Sequence, residues 1–134
     1  MSQENVEIAR TAFDALNRGG FDEALAYVDP EIEFEPPKET LERPRDFKGY
    51  EALRERWKLL LEPFEDVRLK PIEFIDVDDE SVIVVFRLGM RGRASEVPVQ
   101  AEPAYVLAIR GGKIVRIRAY LQKDEALEAV GPLE

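Results

Sequence analysis

Apolar residues recur at one period in the first half of this chain and at another in the second. Between residues 3 and 18 they fall at Val6, Ala9, Ala12, Phe13 and Leu16, in steps of three and four that line one face of a helix. From Val67 onward they alternate or run on between turn signals, which is the pattern of strands. Helices followed by sequential hairpins predict an α+β layer, a sheet packed on amphipathic helices.

The boundaries can be read from the punctuation. Ser2 is a plausible cap for the first helix, Glu4 and Glu7 suit the positive end of its dipole, and Gly19-Gly20 ends it. A short second helix is predicted over Asp22 to Val28, capped by Asp22 and broken by Asp29-Pro30. Glu31 to Glu35 then alternates strictly, with Ile32 and Phe34 on one face and three glutamates on the other, a strand of period two. The proline-rich, charged stretch from Pro36 to Lys48 reads as a loop. Tyr50, Leu53, Trp57, Leu60 and Leu61 mark a third amphipathic helix closed by Glu62-Pro63.

Four strands are predicted after that. They run from Val67 to Val77, from Val82 to Met90, from Val97 to Arg110 and from Lys113 to Leu121. Asp78-Asp79 turns the first pair, and Gly111-Gly112 is a two-residue hairpin signal for the last. Pro98 and Pro103 interrupt the third strand and point to bulges or an edge. A final short helix spans Lys123 to Val130 and stops at Gly131-Pro132. Long strands with such interruptions suit a strongly curved sheet, and wrapping it around the helices leaves a conical cavity. With no internal repeat or linker in 134 residues, one domain over residues 1–134 is expected.

Composition narrows the chemistry. The chain has no histidine and no cysteine, which removes His-based triads, thiolate nucleophiles, disulfides and ordinary zinc sites. Proton transfer must rest on carboxylates, tyrosines or lysines. The 28 acidic side chains against 19 basic ones give a net charge of −9, which argues against nucleic acid and anionic membranes as partners. No phosphate-cradling glycine loop is present, and Asp76, Asp78, Asp79 and Glu80 lack the loop length and central glycine of a calcium site. No metal or cofactor is expected. Without an apolar leader or spanning segment, the default location is the cytoplasm.

Four stretches carry a family resemblance: ALNRGGFDEALAYVDPEIEFEPP, KGYEALRERW, RGGKIVRIRAYL and KDEALEAVG. In their order along the chain they resemble the SnoaL-like branch of the nuclear transport factor 2-like superfamily. That resemblance implies a cystatin-like cone, in which a curved, mostly antiparallel sheet wraps three N-terminal helices and a short C-terminal helix follows. It also implies a homodimer formed through the outer face of the sheet. The superfamily includes ketosteroid isomerase, polyketide cyclases, epoxide hydrolases, dehydratases and noncatalytic subunits, so fold alone does not decide activity.

Carried onto this sequence, the resemblance puts Glu35 where isomerase-like members hold their carboxylate base. The oxyanion-hole tyrosine falls near Ala12 and the protonated acid near Ala104, so both groups are missing and steroid isomerisation is disfavoured. Tyr105 stands where relatives often carry histidine. A partly desolvated Glu35 at the cavity mouth would accept a carbon-bound proton, unless Glu31, Glu33 and Glu35 form one solvated face. Tyr105 would donate to a ligand carbonyl or developing oxyanion, unless it is a core tyrosine bonded to a neighbour.

Phe13, Tyr27, Tyr50 and Trp57 sit on helix faces that would roof the cavity and stack on a planar ligand, although such aromatics more often fill core. Arg87 interrupts an apolar strand. It would either be buried against Glu35, Glu102 or an anionic ligand, or cross the sheet to solvent. Tyr120, at the end of the last strand, joins Phe13, Tyr27, Trp57 and Arg87 as an expected ligand contact. Two functions follow. One is cofactor-independent isomerisation, cyclisation or (de)hydration of a small apolar or carbonyl-bearing molecule, with Glu35 and Tyr105 catalytic. The other is a noncatalytic binding or dimerisation module. A carboxylate within hydrogen-bonding reach of a tyrosine inside the cavity would favour the enzyme.

Overall fold

The structure, a computed structural model, describes residues 2–37, 47–62, 64–92 and 98–132. Most of the loop read between Pro36 and Lys48 lies outside these, as do Pro63, Arg93 and Val97.

Helix α1 (Ser2–Gly19) buries Ala9, Ala12 and Phe13 of the predicted stripe and Ala15 beside it, with Val6 and Leu16 partly buried. Ser2 is its first residue rather than a flanking cap. It ends at Gly20, whose φ of 84° suits a residue without a Cβ and whose N–H donates to the Leu16 carbonyl at 3.0 Å. The second helical segment is shorter than predicted. It consists of α2 (Phe21–Ala24) and a 3-10 turn over Leu25–Tyr27. Asp22 does not cap it, because its carboxylate accepts from Arg54 Nη2 at 2.5 Å.

Strand β1 (Val28–Glu35) takes in Asp29-Pro30, which produces an irregular register between Val28 and Glu33 instead of a break. Asp29 Oδ1 accepts from the Glu31 N–H at 2.8 Å across this kink. The end of the predicted loop forms a two-residue strand, β2 (Phe47–Lys48), antiparallel to β1. Helix α3 (Gly49–Leu61) follows, and the Tyr50 hydroxyl donates to the Val28 carbonyl at 2.7 Å, tying the helix to β1.

The remaining strands are β3 (Phe64–Asp78), β4 (Ser81–Gly92), β5 (Pro98–Ala101), β6 (Ala104–Arg110) and β7 (Lys113–Tyr120), with α4 (Lys123–Val130) after them. The third predicted strand is split at Glu102-Pro103, where the Pro103 carbonyl accepts from the Phe86 N–H at 3.1 Å. Gly111 and Gly112 take φ values of 57° and 78°, which the tight β6–β7 turn requires. The sheet order is β2-β1-β7-β6-β4-β3, with β5 paired to β4. All pairings are antiparallel except β1 with β7, a partnership that strand periodicity does not reveal. Register shifts between Glu65 and Arg68, Pro71 and Glu73, Asp76 and Asp78, and Ala108 and Ile109 add twist and curve the unclosed sheet. The architecture is the α+β cone expected.

Two apolar clusters share the sheet. Val82, Val84, Phe86, Leu107, Ile117 and Ala119 belong to the larger one, which packs on α1 and α3. Ile83, Val85, Ala104 and Val106 belong to the smaller one, covered by Ala126, Leu127 and Val130 of α4. Val82 to Phe86 is therefore buried on both faces, which explains an apolar run without alternation.

Edge strand β3 is held by α1. Asn17 Nδ2 donates to the Leu69 carbonyl at 2.7 Å while its Oδ1 accepts from the Leu69 N–H at 3.0 Å. This bidentate clamp occupies one backbone position of an otherwise open edge. Asn17→Ala should cost about 1–3 kcal/mol in urea unfolding, because it orphans a part-buried donor and acceptor together. An unchanged midpoint would mean that water replaces the clamp without loss.

Candidate functional site

The concave face of the sheet and helices α1 and α3 enclose two adjoining compartments. The smaller, of about 60 Å³, lies against Ala12, Phe13, Leu53, Leu107 and Ile117. The larger, of about 220 Å³, lies against Phe34, Arg56, Leu69, Phe86, Leu88 and Ala119. Trp57 and Tyr105 border both. A surface groove of about 440 Å³ between the C-terminal end of α1 and α3 meets the same Trp57 from outside.

Strand alternation brings Tyr105 inward. Ala104 and Val106 belong to the outer cluster, while Tyr105 and Leu107 pack in the inner one. Its ring sits edge-on to Phe86, with centroids 4.8 Å apart, and to Phe34 at 6.0 Å, with Phe13 at 6.4 Å. Among the described residues its hydroxyl makes no hydrogen bond. Burial pushes the phenol well above its ordinary pKa of 10.0, while the positive charge of Arg56 pulls the other way. At neutral pH it is a protonated donor in an apolar hollow.

Arg56 was not singled out by sequence reasoning. It is the buried charged residue among those described, at 7% exposure, and its guanidinium lies 5.7 Å from the Phe47 ring centroid. A signal existed: Arg56 is three residues after Leu53 and next to Trp57, so it falls within the apolar stripe of α3.

The other expected residues are distributed differently. Glu35 lies on the outer face, opposite Phe34, where its carboxylate accepts from Arg116 Nη2 at 2.8 Å with 43% of the side chain exposed. It lines neither compartment, so Glu35 and Tyr105 point to opposite sides of the sheet. Arg87 also faces outward, its Nη2 2.9 Å and Nε 3.2 Å from Glu102 Oε2. Of the two readings for Arg87, the solvent-facing one describes the structure. Phe13 and Trp57 do wall the hollow. Tyr27 packs on the core without lining either compartment. Tyr120 packs against the outer cluster, while its end of β7 borders the larger compartment.

A family model described as a SnoaL-like domain matches residues 9–117 of the 134. The chain belongs to the SnoaL-like domain family. Similar solved structures include a nuclear transport factor 2-like protein from Burkholderia xenovorans LB400, 26% identical, with a TM-score of 0.71 and 98% of each chain covered. A proposed polyketide cyclase from Xanthomonas campestris pv. campestris is 16% identical, with a TM-score of 0.77, covering 97% of this chain and 98% of that one. TerC, co-crystallised with polyporic acid, is 18% identical, with a TM-score of 0.75, covering 95% and 98% respectively. The last two likenesses are of fold alone. No curated protein matches the chain in sequence.

Within this SnoaL-like domain, two positions that the resemblance linked to isomerase groups are alanines with different fates. Ala12 borders the smaller compartment, and Ala104 packs under α4. No helix of the described residues is long and apolar enough to cross a membrane.

The shifted phenol makes a pH prediction. The unfolded chain releases the Tyr105 proton near pH 10.0 whereas the folded chain retains it. The stabilisation is therefore complete below that pH and declines above it. Tyr105→Phe should flatten the alkaline loss of stability by about 1.4 kcal/mol per pH unit between roughly pH 10 and 11.5, read by urea unfolding. Parallel slopes for both proteins would show that this phenol titrates normally.

Proposed function

We propose that this SnoaL-like domain binds a small, mostly apolar, carbonyl-bearing molecule in the cone, with Tyr105 as hydrogen-bond donor. One observation carries the reading: a protonated phenol borders an apolar hollow and makes no hydrogen bond among the described residues. Its hydroxyl is not sealed off from the hollow, so a ligand oxygen entering there can accept from it. At about 30 Å³ per water, the larger compartment of about 220 Å³ holds roughly seven waters, or a ligand of about 10–15 heavy atoms. Trp57 supplies a flat wall to both compartments and Phe13 to the smaller one, and Tyr27 packs on the same inner core.

Isomerisation, cyclisation or (de)hydration at that carbonyl would use Tyr105 to polarise the oxygen. It would need a base other than Glu35, whose carboxylate lies across the sheet beside Arg116. No carboxylate lines either compartment among the described residues. Binding is the function favoured. The homodimer is carried with it as part of the proposal, and native mass spectrometry would read assembly and any co-purified ligand together.

Trp57 is the single tryptophan and borders the hollow, so intrinsic fluorescence reports on occupancy. Titration with 4-tert-butylacetophenone should change its emission, with the affinity confirmed by calorimetry. Tyr105→Phe should weaken binding by about 2–10-fold, the worth of one neutral hydrogen bond. Glu35→Gln should leave binding within twofold. A Glu35→Gln variant that fails to bind, or no binding by the native protein, would reverse the assignment.

A further inference from the structure

Three spaces meet at one side chain. Leu16 and Phe21 border the surface groove and the smaller compartment, Leu69 borders the groove and the larger one, and Tyr105 borders both compartments. Trp57 alone among the described residues borders all three. A single layer of side chains therefore stands between the hollow around Tyr105 and a groove of about 440 Å³.

The indole is set there from two sides. Leu53, one turn earlier on α3, is 3% exposed and fixes the helix face that turns inward. Gly20, with its φ of 84°, lets the chain turn from α1 into α2 so that Phe21 meets Trp57, with ring centroids 6.3 Å apart and planes tilted by 45°. The Arg54 guanidinium lies 5.6 Å from the centroid of the Phe21 ring, and Asp22 and Glu51 hold that guanidinium in turn. An indole braced in this way acts as a partition.

Its position bears on ligand length. A carbonyl held at Tyr105 leaves the body of the ligand in the larger compartment, which has about 220 Å³ against about 60 Å³ for the smaller. Each methylene that finds room there tightens binding about fourfold, the worth of burying one CH2. Close-packed walls do not yield to further atoms, so the gain stops when the compartment is full. More space exists, but on the far side of Trp57.

We infer that Trp57 sets the length limit of this cavity, so that its preferred class is compact carbonyl compounds of about 10–15 heavy atoms and longer chains gain no further burial. This rests on the proposed binding function and narrows the ligand class for the same cavity. Tyr105 reads the oxygen, and Trp57 reads the length.

A series of 4-alkylacetophenones, followed by calorimetry, changes length at constant chemistry. With the native protein, affinity should rise from the ethyl to the butyl compound, and the octyl compound should bind no tighter than the butyl one. Trp57→Ala joins the compartments to the groove, so octyl should then bind at least about tenfold tighter than butyl. Trp57→Leu, which keeps an apolar side chain of intermediate size, should shift the ratio in the same direction by less, and it decides if Trp57→Ala does not fold. A substitution that merely loosened the fold would weaken every member alike and leave the ratio of octyl to butyl where it was. An unchanged ratio in the folded variants, or a native affinity that keeps climbing to octyl, overturns the inference and leaves the cavity reading standing. Binding of no member of the series by the native protein overturns both.

Discussion

Strand β4 has to be dry on both sides at once. Val82, Val84 and Phe86 face the helices of the cone, while Ile83 and Val85 face the C-terminal helix. Each of these five residues is at most 5% exposed. A half-buried antiparallel strand normally leaves every second residue wet, so two coverings must exist before this one is stable. The rest follows from that demand. α1 and α3 cover the concave side, α4 covers the convex one, and β6, β5 and β3 pair with β4 along its length. The bulges of β3 shift its register but let a 15-residue strand bend around the helices while staying paired with β4.

The hollow is what remains where the curved sheet and the helices cannot meet. Small side chains set its limits. Ala12 and Ala24 border the inner compartment, and Ala101 and Ala119 the larger one. Aromatic rings brace it, with Phe13, Phe34 and Phe86 packed around Tyr105 at angles that leave the ring rigidly oriented. A donor held this way loses little further freedom when a ligand arrives, which favours binding.

Glu35 and Arg56 show why the site was only half legible. Glu35 stands at the end of a clearly alternating strand, and its own alternation already placed it opposite Phe34. The family resemblance assigned it a role that its face does not serve. Arg56 looked like one charge among many in KGYEALRERW. Its meaning depends on which side of α3 meets the sheet and on the ring of Phe47 arriving from another strand, neither of which helical spacing alone supplies. Tyr105 was legible because Leu107 and Ile109, two and four residues further on, pack in the same inner cluster.

Local periodicity and turn chemistry are properties of short stretches, so the order of helices and strands, the Gly111-Gly112 hairpin and the final helix could be read from residue spacing. The β-hairpins followed, since sequential strands joined by tight turns have one convenient partner. What required the folded chain was everything set by contacts between distant segments. These include the parallel pairing of β1 with β7, the Asn17 clamp on β3, and the outward turn of Glu35 and Arg87. The enclosure of Arg56 beside Tyr105 belongs with them. Such contacts depend on the curvature of the sheet, and curvature is the sum of many small twists and bulges that no single stretch of sequence contains.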